Sequence, residues 1–192
     1  SISNAVSPDE WATINATTDG TVTAAGNFEG VLSEFASADG ISDNWNTAVT
    51  ANPAKSVTIT NDKLTTTAEI SALNHIASDD THTGNGSTIT ATVEANLATI
   101  DVNNLDTDSN DDIDITITGA LDGDDISTVN SIKAKTAGVI SIPDGITASA
   151  AALTNSDTGL DTDENDSVVI TASGTGDNAS NIANSIALAA LT

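Results

Sequence analysis

Leu105-Asp106-Thr107-Asp108-Ser109-Asn110-Asp111 runs into Ile113-Asp114-Ile115-Thr116-Ile117-Thr118-Gly119. The phrase returns as Leu160-Asp161-Thr162-Asp163-Glu164-Asn165-Asp166, ahead of Val168-Val169-Ile170-Thr171-Ala172-Ser173-Gly174. Each copy joins an acidic loop to a run of β-branched residues, so the chain repeats a loop-then-strand unit. In the first loop Asp106, Asp108, Asn110 and Asp112 stand at every second position. In the second, Asp161, Asp163 and Asn165 do so, with Ser167 in the fourth place. Alternating carboxylate and amide oxygens on a short loop are the donors a hard cation takes, which makes these residues the expected ligands and calcium the expected ion. The pattern is only the opening half of an EF-hand. Asp111 and Asp166 hold the sixth position, where that loop needs Gly, and Ile117 and Ala172 the twelfth, where it needs Glu. The expectation is an oxygen-lined loop between stacked β layers rather than a helix–loop–helix.

Outward from these loops, strand-type runs recur near residues 57, 89, 115, 140 and 169, a spacing of roughly 25–30 residues that lies in the range of stacked repeats. Short Ala- or Leu-containing segments separate them. Thr66 and Glu69 have capping-box spacing at the head of one such segment. Val93, Leu97 and Ile100 have helical spacing in another, and Ile182 and Ile186 suggest a further short helix. Residues 51–192 therefore read as a repetitive, β-rich body.

Residues 1–50 differ in texture and read as a helical N-terminal cap module. Ser7-Pro8-Asp9-Glu10 combines an N-cap, Pro at the first helical position and the Glu of a capping box. Phe28, Val31, Leu32 and Phe35 recur at i, i+3, i+4, i+7, the stripe of an amphipathic helix. All four aromatic residues of the chain, Trp11, Phe28, Phe35 and Trp45, fall in this part and are expected to form a small local core. The fold class expected from the whole is mainly β: a solenoid-like or layered β-sheet body with short helices and a helical cap.

The 192-residue chain is 38% hydrophobic, enough for a core, and carries 28 acidic residues against four Lys, a net charge of −24. Such a surface repels nucleic-acid backbones and anionic lipid and attracts divalent cations. The chain has no Cys and no Met and begins at Ser1, which suggests a processed or partial chain; no stretch is apolar enough for membrane insertion. Chemistry-bearing residues are few. His75 and His82 flank Asp79-Asp80, the one place where imidazole and carboxylate lie close in sequence, and a solvated loop is the simpler reading. Asp122-Gly123-Asp124-Asp125 and Gly176-Asp177-Asn178 read as turns, Gly84-Asn85-Gly86 as a turn before a strand, and no nucleophile-elbow sequence occurs. No enzyme is expected.

The phrases Val-Thr-Ile-Thr at Val57, Thr-Thr-Ala-Glu-Ile-Ser-Ala-Leu at Thr66, and Thr-Ala-Ser-Ala-Ala-Ala-Leu at Thr147 resemble the Thr/Ala/Asp-rich repeats of secreted bacterial surface proteins, namely RTX-type adhesins and S-layer proteins. The resemblance covers residues 56–192 and lacks the Gly-Gly-x-Gly-x-Asp nonapeptide of RTX calcium rolls. It implies a secreted, cell-surface structural protein that self-associates with identical or adjacent subunits into a layer, adhesin stalk or filament, with calcium as a stabilising ion. Two other classes fit the composition: a viral fibre or capsid-decoration protein, and a carbohydrate-binding module with an exposed aromatic platform, for which Trp45 is the candidate.

Overall fold

The computed structural model describes residues 1–79, 87–100, 105–163 and 165–173. Its centre is a seven-stranded sheet built from β1 (Phe28–Gly30), β4 (Val57–Ile59), β5 (Ile89–Ala95), β6 (Asp112–Ile117), β7 (Leu121–Asp122), β8 (Ile140–Ser149) and β9 (Ser167–Ser173). Every pairing within it is parallel. Strands lie side by side almost in chain order: β1 beside β4, β4 beside β5, β5 beside β6, then β8, with β9 on the far side of β8. β6 and the short β7 pair in succession with the two halves of β8. A separate hairpin pairs β2 (Ala36–Ser37) with β3 (Gly40–Ile41).

Parallel neighbours need long crossovers, and helices supply them. Six α-helices are present among the described residues: α1 (Pro8–Ala16), α2 (Leu32–Phe35), α3 (Asp43–Ala51), α4 (Thr67–Ala77), α5 (Ile126–Lys133) and α6 (Ala150–Leu153). The expected mainly β, solenoid-like body is therefore corrected to an α/β architecture, with helix about as abundant as strand. The cause is legible in the caps. Ser7 Oγ accepts the Glu10 N–H and Glu10 Oε2 accepts the Ser7 N–H, at 3.2 and 3.1 Å, while Thr66 and Glu69 repeat the exchange at 3.2 and 2.9 Å. Each box satisfies helix-end donors, and the Ala- and Leu-bearing segments behind them bury one face as full crossovers.

Two of the expected helices take other forms. Val93 belongs to β5, whose Ile89, Ala91, Val93 and Ala95 alternate inward with Thr90, Thr92 and Glu94 outward. Its Thr, Val and Ile content favours the extended form over the coincidental helical spacing. The Phe28–Phe35 stripe is divided: Phe28 sits in β1 and only Leu32–Phe35 is helical. Ile182 and Ile186 lie outside the described residues.

One hydrophobic cluster runs from Val6 to Leu160. It packs the inward residues of the strands against Ile70, Leu73 and Ile76 of α4 and Ile126, Val129 and Ile132 of α5. At its N-terminal end Trp45 meets Phe28 and Phe35 edge-on, with ring centroids 5.2 Å apart in each case, geometry worth about 1 kcal/mol per pair beyond burial. The opposite sheet face carries Thr58, Thr90, Thr92, Glu94, Asp112, Asp114, Thr116 and Ser141, exposed or half-exposed. Parallel sheets are usually covered on both faces; the described residues cover this one on one face.

Before β1, residues 2–6 run along its outer side through parallel bridges Ile2–Ala24 and Val6–Phe28. The buried Asn52 ties this border to α3: its Oδ1 accepts the Ala24 N–H at 2.7 Å and its Nδ2 donates to the Ala48 carbonyl at 2.9 Å. The sheet thus starts at residues 2–6 and ends, among the described residues, at β9.

Candidate functional site

Both acidic loops fold the same way. Asp108 Oδ1 accepts the Asn110 N–H at 2.7 Å, and Asp111 Oδ2 accepts the Asp108 N–H at 3.0 Å. In the second copy Asp163 Oδ1 accepts the Asn165 N–H at 2.8 Å, and Asp166 Oδ2 accepts the Asp163 N–H at 2.9 Å. The remaining oxygen of each closing Asp reaches sideways to the preceding strand. Asp111 Oδ1 accepts the first N–H of β5, that of Ile89, at 2.8 Å, and Asp166 Oδ1 accepts the first N–H of β8, that of Ile140, at 2.7 Å. The loop ahead of one strand therefore caps its neighbour. Asp111 is only 7% exposed and the Asp166 side chain 1%, so these carboxylates replace water for backbone donors that would otherwise be left without it.

A threonine performs the same task in the layer between. Thr136, ahead of β8, accepts the Ile113 N–H of β6 at 2.9 Å and the Gly138 N–H at 2.8 Å, and its hydroxyl lies 2.8 Å from the Ile113 carbonyl. Gly138 is required there, since a Cβ would fall 2.3 Å from that carbonyl oxygen. The loops are also pinned from behind by helix amides: Asn74 Oδ1 accepts the Asp106 N–H at 3.0 Å and Asn130 Oδ1 the Asp161 N–H at 2.8 Å.

Each of the expected calcium ligands has a definite place. Asp106, Asp108, Asn110, Asp161, Asp163 and Asn165 are exposed in the two loops, and Asp112 opens β6 on the uncovered sheet face, in register with Thr90. Among the described residues no three carboxylate or imidazole side chains converge as a metal cage. The residues with the most buried roles, Asp111, Asp166 and Thr136, stand outside the alternating set. Their signal in the sequence is position alone: the first two close each acidic phrase immediately ahead of its strand.

The second loop holds a cation of its own. Lys133, the last residue of α5, places Nζ 2.8 Å from Asp163 Oδ2 and 3.1 Å from Asp166 Oδ1, and donates to the Gly138 carbonyl at 3.3 Å. Burial pulls the Lys133 pKa down, but the hydrogen bonds and charges of Asp163 and Asp166 outweigh it, so the ammonium titrates above the ordinary lysine range. The Lys133 hydrogen bond, helped by the Asn165 N–H, holds Asp163 below the usual carboxylate range. In the first loop the corresponding last residue of α4 is Ala77.

Other candidates resolve into structural parts. Asp122 to Asp125 form a turn in which Asp122 Oδ1 accepts the Asp124 N–H and Asp125 Oδ2 the Asp122 N–H, both at 2.9 Å. His75 lies on α4 with Nε2 3.2 Å from the Ala38 carbonyl; Asp80, His82, the turn at 84–86 and the segment at 176–178 lie outside the described residues. Trp11, Phe28, Phe35 and Trp45 are all buried, so none forms a surface platform for a sugar. No described helix is long and apolar enough to cross a membrane.

The chain matches no family model, and the searches of curated proteins and of solved structures return no match.

Proposed function

We propose that this chain is a non-enzymatic, extracellular structural subunit that associates with copies of itself into a cell-surface filament, stalk or layer, with divalent cations, calcium foremost, offsetting its charge. One observation carries the reading. β9, the outermost described strand, is Ser167-Val168-Val169-Ile170-Thr171-Ala172-Ser173, without a charge, a proline or a bulge-forming glycine, and Val169 is 52% exposed. Proteins that remain monomeric blunt such edges with charge, proline or a covering element. A chain with 28 acidic residues places none of them on this strand.

The polar groups support the same reading. The buried carboxylates of the acidic loops, Asp111 and Asp166, cap neighbouring strands, and His75 Nε2 sits against the Ala38 carbonyl. Location outside the cell rests on the resemblance of the repeat phrases to those of secreted surface proteins. A net charge of −24 opposes contact between copies, so salt and calcium favour assembly. Within the chain, calcium goes to the first loop in preference to the second, because Ala77 stands where Lys133 already supplies a positive charge. Static light scattering and electron microscopy across a concentration series, with calcium and with chelator, test the proposal. The expected result is extended oligomers that lengthen with concentration and with calcium; a monodisperse monomer throughout refutes it.

A further inference from the structure

The proposed assembly has two ends, and the fold supplies both. Resting on that reading, we infer that copies join head to tail, with β9 of one copy adding in parallel to residues 2–6 of the next, so that a single sheet continues from subunit to subunit.

Polarity comes first. All pairings in the main sheet are parallel and the bridges of residues 2–6 to 24–28 are parallel as well, so the first and last borders run in the same direction. An added copy can then follow as another strand in sequence, without reversal. The backbone is ready for it. Ile2 donates to the Thr23 carbonyl and accepts from the Ala25 N–H, and Val6 donates to Asn27 and accepts from Glu29, at 2.7 to 3.3 Å. With these residues turned inward, strand alternation turns the N–H and C=O groups of Ser3 and Ala5 outward.

Charge selects the same pair of borders. Residues 2–6 read Ile-Ser-Asn-Ala-Val and β9 reads Ser-Val-Val-Ile-Thr-Ala-Ser, both uncharged. Contact through the open sheet face would instead bring Glu94, Asp112 and Asp114 of one copy against another acidic surface. Exposed apolar side chains agree: among the described residues the large hydrophobic ones that remain exposed are Ile14 at 39%, Val31 at 43% and Val169 at 52%. Val169 is on β9, and the other two flank the opposite border. Ile14 lines a groove of about 530 Å³ between residues 2–6 and α1, together with Ile2, Ala5 and Val6 and with the carboxylates of Asp9 and Glu10; Val31 lines a second groove beside Val6, an acidic one that Glu29 and Glu34 also border. On β9 the inward residues Val168 and Ile170 stay half-exposed, whereas Ile113, Ile115, Ile140 and Ile142 of the inner strands are buried. Among the described residues the last layer has no cover, and the first offers a groove with Ile2, Val6 and Ile14 in its lining.

Such an interface is heterologous: its two sides differ, and it propagates instead of closing. The test uses that asymmetry in the full chain. Val169→Glu blocks one side and Ala5→Glu the other; both positions are exposed, so circular dichroism and thermal melts are expected to match the parent. Each variant alone is expected to be monomeric by light scattering where the parent assembles, and an equimolar mixture is expected to give dimers and nothing longer, since one unblocked pair of borders remains. If Val169→Glu assembles like the parent, or if the mixture stays monomeric, the head-to-tail pairing is wrong while self-assembly stands. Full hydrogen-exchange protection of β9 amides in the dilute monomer also overturns it, because residues 174–192 of the same chain would then hold that edge. A parent chain that never assembles overturns the proposed function itself.

Discussion

In the second acidic loop the Lys133 ammonium lies between Asp163 and Asp166, while in the first the same helix position is Ala77, although backbone and capping bonds are alike. The likeness belongs to the fold: a carboxylate must reach the first N–H of the neighbouring strand in both layers. The difference is one of charge, and it separates what the loops do for the chain from what they do with ions. A closing Asp is needed whichever cation is near, whereas a neighbouring cation alters how tightly the carboxylates it touches are held.

The largest expected effect breaks the likeness itself. Asp111→Ala leaves the Ile89 and Asp108 N–H groups without their acceptor in a buried place and is expected to cost about 3 kcal/mol, read as a lower urea midpoint. Asp166→Ala removes the matching pair of bonds at the chain's last described layer, where Asp163 still balances Lys133, and about 2 kcal/mol is expected.

Lys133→Met makes the second loop resemble the first and is expected to cost about 1 kcal/mol near neutral pH. Its pH dependence has a definite sign. Asp163 is held below its unfolded pKa, so its share of stability is present above about pH 4 and is lost as pH falls through the folded value. Lys133 is held above its unfolded pKa, so its share is present below about pH 10 and is lost as pH rises through the folded value. The gap between parent and variant is therefore widest across the neutral range and narrows at both extremes; a gap that persists undiminished in acid would assign the loss to packing of the lysine stem. The smallest effect is that of calcium, about 0.5 kcal/mol at millimolar concentration, located at the first loop and abolished by Ala77→Lys. Thermal melts with calcium and with chelator measure it.

Several elements were legible in the sequence because their signals are local. The capping boxes at Ser7 and Thr66 mark helix starts where the structure has them, the strand runs near 57, 89, 115, 140 and 169 all lie in strands, and three of the four aromatic residues, Phe28, Phe35 and Trp45, meet, though within the one core that runs through the fold. What failed was whatever depends on a neighbour. Val93, Leu97 and Ile100 have helical spacing, yet pairing on both sides, with Leu64 and with Ile115 of β6, fixes Val93 in a strand, and Leu97 and Ile100 fall in the turn beyond its end. The β-branched runs drew attention to strands and hid the helical weight of the crossovers between them. At the loops, the alternating Asp pattern pointed to exposed oxygens, while the buried work falls to Asp111, Asp166 and Thr136. Their partners, Ile89, Ile140 and Ile113, lie 22 to 26 residues away in the chain and are brought close only by the parallel register.

Laying strands side by side almost in chain order, with β5, β6 and β8 each capped from the loop ahead of a later strand, also bears on how the molecule comes apart. Contacts stay between successive layers, so ordering can start in one layer and spread to the next without closing a long loop. Layers then melt as one unit only as strongly as their ties allow, and between β6 and β8 the buried hydroxyl of Thr136 adds its bonds to the short backbone pairing of the two strands. Thr136→Val keeps the shape and removes the hydroxyl. Hydrogen exchange is expected to show residues 140–173 opening separately from residues 28–95, turning one cooperative transition into two.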